Sequence, residues 1–327
     1  MTGGAGYIGS HAALAFMEAK YRVVILDNLS TSEREWVVPG ADFVEGNVAD
    51  CDLVERTIKE HGVTGVAHFA ASVIVPESIA NPSKYYLNNT ANSALLMQTC
   101  ANLGVDSFLF SSTAAVYGIS AQEIVDETSP TCPENPYGKS KLMTEEMLKD
   151  ISKASAMKHA CLRYFNVAGA DPQGRTGQRT KNATHLIKVA AETGVGLRPQ
   201  MTIFGDDYPT ADGTCIRDYI HVSDLAAAHV LAYQKLCEDG QNFTINCGYG
   251  KGYSVKDIIT GMEKVSGKPL KAEIGPRRDG DVPCLIADSS RMQDLINWAP
   301  LYDRIDVILE SAFNWEKQLL NGLAPSE

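Results

Sequence analysis

Apolar residues in the first half of the chain fall into short unbroken runs separated by longer stretches with helical spacing. The runs predict strands over residues 22–27, 65–70, 107–112 and 160–165, and the stretches predict helices near 8–20, 52–61, 82–103 and 137–154. Val23-Val24-Ile25-Leu26 and Phe108-Leu109-Phe110 contain no polar residue, which suits strands covered on both faces. Strand and helix alternating in this way predict an α/β fold, a Rossmann-type doubly wound parallel sheet.

After Gly169 the pattern loosens. Residues 171–179 form a polar, glycine-containing loop, followed by a helix at about 184–193, a strand at 215–222 and a helix at 223–236 with Ser223 as its N-cap. Two more helices are expected near 255–265 and 305–320. In the last, Ile305, Ile308, Leu309, Ala312 and Phe313 make a core-facing stripe. No internal repeat interrupts this order. The expected division is a dinucleotide-binding Rossmann domain over 1–167, to which a strand and helix at about 215–237 return, and a smaller C-terminal α/β substrate domain over 168–327.

Gly3, Gly6 and Gly9 give Gly-x-x-Gly-x-x-Gly at the expected entry to the first helix. Glycines let the backbone turn tightly and approach a pyrophosphate, which rests on the positive end of the helix. Such spacing alone is often only a glycine turn. Here Asp27 closes the next strand, where a carboxylate accepts from a ribose 2′-hydroxyl and repels a 2′-phosphate, so NAD is expected rather than NADP. The motif normally follows a strand, yet only Met1 and Thr2 precede Gly3. The first strand is therefore expected to be truncated, by a late start site or a trimmed end, exposing the edges of its neighbours.

Tyr137 and Lys141 lie four residues apart on a predicted helix and so share a face. A phenol titrates near ~10, too high for a base at neutral pH, and a fixed cation nearby favours the phenolate. A hydroxyl from Ser111-Ser112-Thr113 could share the substrate proton. Tyr-x-x-x-Lys is common by chance on solvated helices, but joined to a dinucleotide motif it points to proton transfer beside a nicotinamide.

At 327 residues the chain exceeds a single core, which agrees with two lobes. A net charge of −11 weighs against nucleic acid and anionic membranes as partners, and means that an anionic substrate needs local arginines. No apolar run approaches membrane-spanning length and no secretory leader is apparent, so the cytoplasm is the expected compartment. The eight cysteines include no Cys-x-x-Cys pair and the histidines lack ligand spacing, so no metal is expected. His221 and His229 are separated by a strand-to-helix break.

Thr2-Gly-Gly-Ala-Gly-Tyr-Ile-Gly-Ser-His, Leu26-Asp-Asn-Leu-Ser-Thr, His68-Phe-Ala-Ala, Ser111-Ser-Thr-Ala-Ala-Val-Tyr-Gly, Pro136-Tyr-Gly-Lys-Ser-Lys and Leu162-Arg-Tyr-Phe-Asn-Val-Ala-Gly together resemble the extended short-chain dehydrogenase/reductase superfamily. Ile203-Phe-Gly-Asp-Asp-Tyr-Pro-Thr, Asp212-Gly-Thr-Cys-Ile-Arg-Asp-Tyr-Ile-His-Val and Arg277-Arg-Asp-Gly-Asp narrow the likeness to its UDP-hexose 4-epimerase branch, over almost the whole chain. The resemblance implies an NAD-dependent isomerase that interconverts UDP-galactose and UDP-glucose, acts on a UDP-sugar and forms a homodimer.

Carried over by that likeness, Tyr137 is the acid and base at the sugar 4-position, Thr113 bonds the same oxygen, and Lys141 holds the nicotinamide ribose. Gly3, Gly6, Tyr7, Ile8, Gly9, Asp27, Asn28, Asn47 and Val48 would line the adenosine and phosphates. Phe69, Ala70, Asn89 and Tyr164 or Phe165 would line the rest of the cofactor. The substrate side would comprise Asn166, His185, Leu186, Phe204, Arg217, Tyr219, Arg278 and Asp281, with Leu285 near the gate beside the sugar. A lysine found near the cofactor in some relatives is replaced around Val73. Ala114-Ala115 stands where relatives that dehydrate sugars carry Asp-Glu, which argues against dehydration. Epimerisation of another UDP-sugar (N-acetylglucosamine or pentose) and non-catalytic NAD sensing remain as alternatives.

Overall fold

In the computed structural model, which describes residues 1–120, 122–181, 183–278 and 280–322, the apolar runs of the first half become neighbouring parallel strands. Helix α1 (Tyr7–Glu18) leads to β1 (Val24–Asp27), β2 (Asp42–Glu45), α2 (Cys51–His61) and β3 (Gly65–His68). A helical stretch follows as α3 (Val75–Ala80), α4 (Pro82–Tyr85), a π-helical turn (Tyr86–Ala91) and α5 (Asn92–Asn102). Next come β4 (Ser107–Thr113), β5 (Ile124–Val125), α6 (Pro136–Ala154), β6 (Lys158–Tyr164) and β7 (Asn166–Ala168). The second half supplies α7 (Leu186–Val195), β8 (Met201–Phe204), β9 (Ile216–His221), α8 (Val222–Asp239) and β10 (Phe243–Cys247). It ends with β11 (Gly252–Ser254), α9 (Val255–Ser266), β12 (Ala272–Gly275), β13 (Cys284–Ala287), α10 (Ser290–Ile296) and α11 (Ile305–Leu320).

β3, β4, β6 and β10 pair in parallel, and β1 pairs with β2. Met1 and Thr2 join the two sets. Thr2 bridges Leu26 on one side and His68 on the other, its amide donating to the Ala67 carbonyl at 3.0 Å, while the Gly3 amide donates to Leu26 at 2.9 Å. The expected first strand is thus represented by two residues. One face of the sheet packs on α2, α5 and α6 through Val54, Ile58, Leu96, Met97 and Leu148. The other packs on α1, α8 and α10 through Phe16, Leu225, Ala228 and Met292. Helices on both faces make the sheet doubly wound.

A second core joins α7, α9 and α11 to β8, with Ile308, Leu309 and Ala312 of the predicted stripe buried in it. Of the strand and helix expected to return, α8 packs on the first-half sheet, but β9 pairs with β7, β11 and β13 outside it, and it is β10 that joins that sheet by pairing with β6. Local signals set the helix ends. Asp50 caps α2 and left-handed Gly62 stops it, while Ser254 and Asp257 form a capping box on α9.

Two expectations are corrected and one strand is added. The added strand, Asp42-Phe43-Val44-Glu45, is an edge strand, polar at both ends and only partly buried, so it carries no continuous apolar run. The helix expected over 82–103 is continuous to Asn102 but carries the π-turn, where the Asn89 side chain turns to the backbone of Ser72. The cap of α8 is His221, whose Nδ1 accepts from the Ser223 amide at 3.1 Å, so Ser223 is not the cap.

Five histidines are buried, and burial pulls each below its ordinary value: His11, His159 and His229 to about 4, His68 and His221 to about 3. Each is neutral in the fold and takes up a proton more readily when unfolded. Their contribution to stability is therefore complete above the unfolded value of 6.5 and drains away between 6.5 and about 3. Urea midpoints measured across that range should fall steadily with pH, and His68→Asn should flatten the slope.

Candidate active site

A cavity of about 1300 Å³ runs along the carboxyl ends of β1, β3, β4 and β6 and continues to β9 and β13. In doubly wound sheets this crevice is where ligands bind. One end is a glycine cradle. A Cβ on Gly9 would sit 2.2 Å from the Gly3 carbonyl oxygen, and one on Gly3 would meet the Ala70 amide at 2.6 Å, so neither position admits a side chain. A Cβ on Gly6 would touch only the Gly3 oxygen, at 3.3 Å. Gly6 is also the N-cap of α1 and brings no side-chain cap, so the first amides of that helix stay free for an anion.

Asp27 ends β1 beside this cradle. Its carboxylate accepts from the Ala5 amide at 3.0 Å, the Leu29 amide at 2.9 Å and the Ser32 hydroxyl at 3.2 Å. Those bonds fix its direction, and a carboxylate has further acceptor sites for a ribose hydroxyl. Asn28, Asn47, Val48, Phe69 and Ala70 continue the wall, with Tyr7 and Ile8. Backbone space without side chains, a free helix end and an oriented carboxylate fit a dinucleotide. Asn89 lies behind the wall, bonded to Ser72 and to Ser140 Oγ at 3.0 Å.

Midway along, Tyr137 and Thr113 face the same space. Tyr137 stands in the first turn of α6, which Asn135 caps by accepting from the Gly138 amide at 2.9 Å and which Pro136 starts. Thr113 ends β4, paired in register with Tyr164 of β6. Its oxygen accepts from the Ala115 amide at 3.2 Å, leaving its hydrogen free to donate. Burial pushes the Tyr137 phenol above its ordinary value, and the Thr113 hydroxyl draws it back. Lys141 lies on the same helix, one turn beyond Tyr137. Its ammonium is buried behind the wall, donates to the Ser111 carbonyl at 2.8 Å and lies 4.7 Å from the Phe110 ring centre. Burial lowers it to about 7, with Glu145 acting the other way.

The far end holds Asn166 and Tyr219, register partners across β7 and β9, with Phe165, His185, Leu186, Phe204, Arg217, Arg278, Asp281 and Leu285. The Arg278 guanidinium lies 3.6 Å from the Phe204 ring centre, and Arg217 approaches Asp281 at 3.7 Å. Leu285 pairs in register with Arg217. Asp218, fully buried, accepts from the amides of Tyr249, Gly250 and Ala287 and so binds β9 to β13; burial raises its carboxyl to about 6. Asp279, within the Arg277–Asp281 motif, lies outside the described residues.

Residues 1–248 match the NAD dependent epimerase/dehydratase family. The chain belongs to that family. It is 51% identical to a UDP-glucose 4-epimerase of Azospirillum brasilense over 98% of this chain and 92% of the relative. Its fold superposes with TM-score 0.92 on UDP-glucose 4-epimerase of Bifidobacterium longum solved with NAD⁺ and UDP, at 36% identity and 98% of each chain. With the UDP-Glc/GlcNAc 4-epimerase of Campylobacter jejuni the TM-score is 0.84, at 48% identity over 97% of this chain and 98% of the other.

In this epimerase/dehydratase chain the cavity also includes residues that no motif singled out: Trp36, Lys84, Gln178 and Arg179. Gln178 and Arg179 sit in the polar loop after Gly169, which Asp171 folds by accepting from the Gln173 and Arg175 amides and from the Arg175 guanidinium. Only tertiary structure brings that loop to Trp36. The glycine cradle makes a separable prediction. Gly9→Ala should lower the melting temperature sharply, because its methyl strikes backbone, whereas Gly6→Val should fold and lose NAD⁺ binding measured by equilibrium dialysis.

Proposed function

We propose that the chain is a UDP-glucose 4-epimerase, an isomerase that interconverts UDP-galactose and UDP-glucose with NAD as a resident cofactor. The observation that carries this reading is the placing of Tyr137 and Thr113 on one wall, between a cradle suited to a dinucleotide and an end furnished with Arg217 and Arg278. The two guanidiniums suit a diphosphate, where charge-assisted bonds are strong. Phe204 offers an apolar face, and Asp281 can accept from hydroxyls.

Tyr137 takes the proton of the sugar 4-hydroxyl while Thr113 holds the same oxygen by donating to it. When bound, NAD⁺ supplies a positive ring that accepts hydride from C4 and returns it. That charge favours the phenolate at a site where burial raises the Tyr137 phenol. The 4-keto sugar then turns about its link to UDP, and Tyr137 gives the proton back on the opposite face. Firm anchoring of the diphosphate with loose holding of the sugar suits such a turn. Lys141 keeps two ammonium protons beyond its bond to Ser111 for the ribose next to the nicotinamide.

Ala114 and Ala115 line the cavity beside Thr113 and cannot move protons, which favours epimerisation over dehydration. Leu285, on the cavity wall next to Arg217, is an aliphatic side chain and not a bulky Tyr, which is why N-acetylated and pentose sugar nucleotides belong among the substrates tested. The exposed Leu87, Leu95 and Met143 on neighbouring helical segments support a homodimer formed by pairing those faces. Sedimentation as a monomer at micromolar concentration would remove the dimer from this reading.

Purified protein should convert UDP-galactose to UDP-glucose without accumulating NADH, and should also be offered UDP-N-acetylgalactosamine and UDP-xylose. Tyr137→Phe should lower turnover roughly 10²–10⁴-fold while leaving UDP affinity unchanged. Full activity in that variant would reject the assignment.

A further inference from the structure

Six cationic side chains line the cavity: Lys84, Arg179, Lys188, Arg198, Arg217 and Arg278. Four are engaged by carboxylates. Lys84 pairs with Glu77 at 2.6 Å, Lys188 with Glu316 at 2.5 Å, Arg198 with Glu192, and Arg217 more loosely with Asp281 at 3.7 Å. Among the described residues, Arg179 and Arg278 have no ion-pair partner. Each is instead held against aromatic rings. Arg278 lies over Phe204 at the far end, while the Arg179 guanidinium sits 5.6 Å from the Trp36 ring centre and 5.2 Å from that of Trp315. Two unpaired forks at opposite ends of one cavity match two diphosphate-bearing ligands.

We propose that Arg179 is a cofactor-binding residue that contacts the pyrophosphate of the dinucleotide from above the first turn of α1. Its location follows from the loop that carries it. Thr176 Oγ1 meets Ser10 Oγ at 2.8 Å on α1, Arg175 pairs with Glu18 at 2.6 Å farther along that helix, and Lys181 reaches Glu33 at 3.3 Å beyond β1. Residues 175–181 therefore cross from α1 to the segment after Asp27, over the cradle where a pyrophosphate would rest. The Trp315 indole donates to the Gln178 carbonyl at 3.2 Å and fixes the residue next to Arg179.

A second observation points to an anion. Arg179 Nε is buried and has no hydrogen-bond partner among the described residues, and an unsatisfied guanidinium nitrogen is costly unless a ligand completes it. Burial also works against its charge, with Glu33 only partly compensating. The glycine cradle offers amides and a helix end but no cation of its own, in a chain of net charge −11. A dianionic pyrophosphate meeting a planar fork resolves both deficits, since phosphate accepts two parallel bonds from arginine.

The inference rests on reading the cavity as a dinucleotide site, and the test separates the two. Equilibrium dialysis of nucleotide-free protein would use NAD⁺, adenosine and UDP against wild type, Arg179→Gln and Arg179→Lys, with melting temperature as the control for folding. Arg179→Gln should weaken NAD⁺ about ten- to a hundredfold, the effect of losing a charge-assisted bond to phosphate, while adenosine and UDP bind as in wild type. Arg179→Lys, which keeps the charge and loses the fork, should fall between. NAD⁺ affinity unchanged in Arg179→Gln would overturn the proposal. So would an equal loss of NAD⁺ and adenosine, which would mark a packing role. Wild-type protein that binds UDP but neither NAD⁺ nor adenosine would instead defeat the dinucleotide reading itself.

Discussion

One buried carboxylate holds the reacting end of the molecule together. Glu145 lies two turns beyond Tyr137 on α6 and has no contact with solvent. It accepts from Ser112 Oγ at 2.5 Å and from Arg163 at 2.6 Å and 3.0 Å. Ser112 and Arg163 are register partners on β4 and β6, each one residue before a cavity-lining side chain, Thr113 and Tyr164. A single acidic group therefore sets the height of the helix against two strands. Removing one member of such a buried pair generally costs about 3–5 kcal/mol, because it strands the other charge. From Arg163 the polar contacts continue to Tyr117 at 3.1 Å, on to Asn246 at 2.7 Å, and to the Val125 carbonyl at 2.9 Å. Val125 belongs to β5, the neighbour of β13, which carries Leu285. Tyr137, Thr113 and the far wall of the cavity thus share one rigid reference.

Around that frame, charge is placed sparingly. The protein is acidic overall, yet the cavity must accept ligands that are acidic too. Most cations near it are neutralised by carboxylates, and the two without an ion-pair partner among the described residues lie against aromatic rings, which restrain a guanidinium without quenching it. Lys141 shows a third arrangement: a carbonyl and an aromatic face in place of a counter-ion, so that burial brings it to about 7.

The parts of this design visible in sequence are those with local causes. Continuous apolar runs announced β1, β4 and β6, and the stripe in α11 fell where helical spacing put it. Glycine spacing and the strand-ending Asp27 pointed to the cradle, because both act on the backbone within a few residues. The π-turn at Tyr86–Ala91 was hidden, since it depends on Asn89 reaching Ser72, 17 residues away. So was the true environment of Lys141: shared helical face places it near Tyr137, but only β4 decides that its ammonium turns to Ser111. Arg179 looked like one more charge in a polar loop, and nothing adjacent to it in sequence mentions Trp36 or Trp315.

The loop from Asp171 to Lys181 is clasped to α1 and to the segment after β1 by ion pairs on both flanks. On the proposed function this has a metabolic meaning. An oxidant kept beneath a clasp is a fixture and not a consumable, reset within every turnover. The direction of flux would then follow the ratio of the two sugar nucleotides alone, deaf to whether the surrounding cell is rich or poor in reducing power.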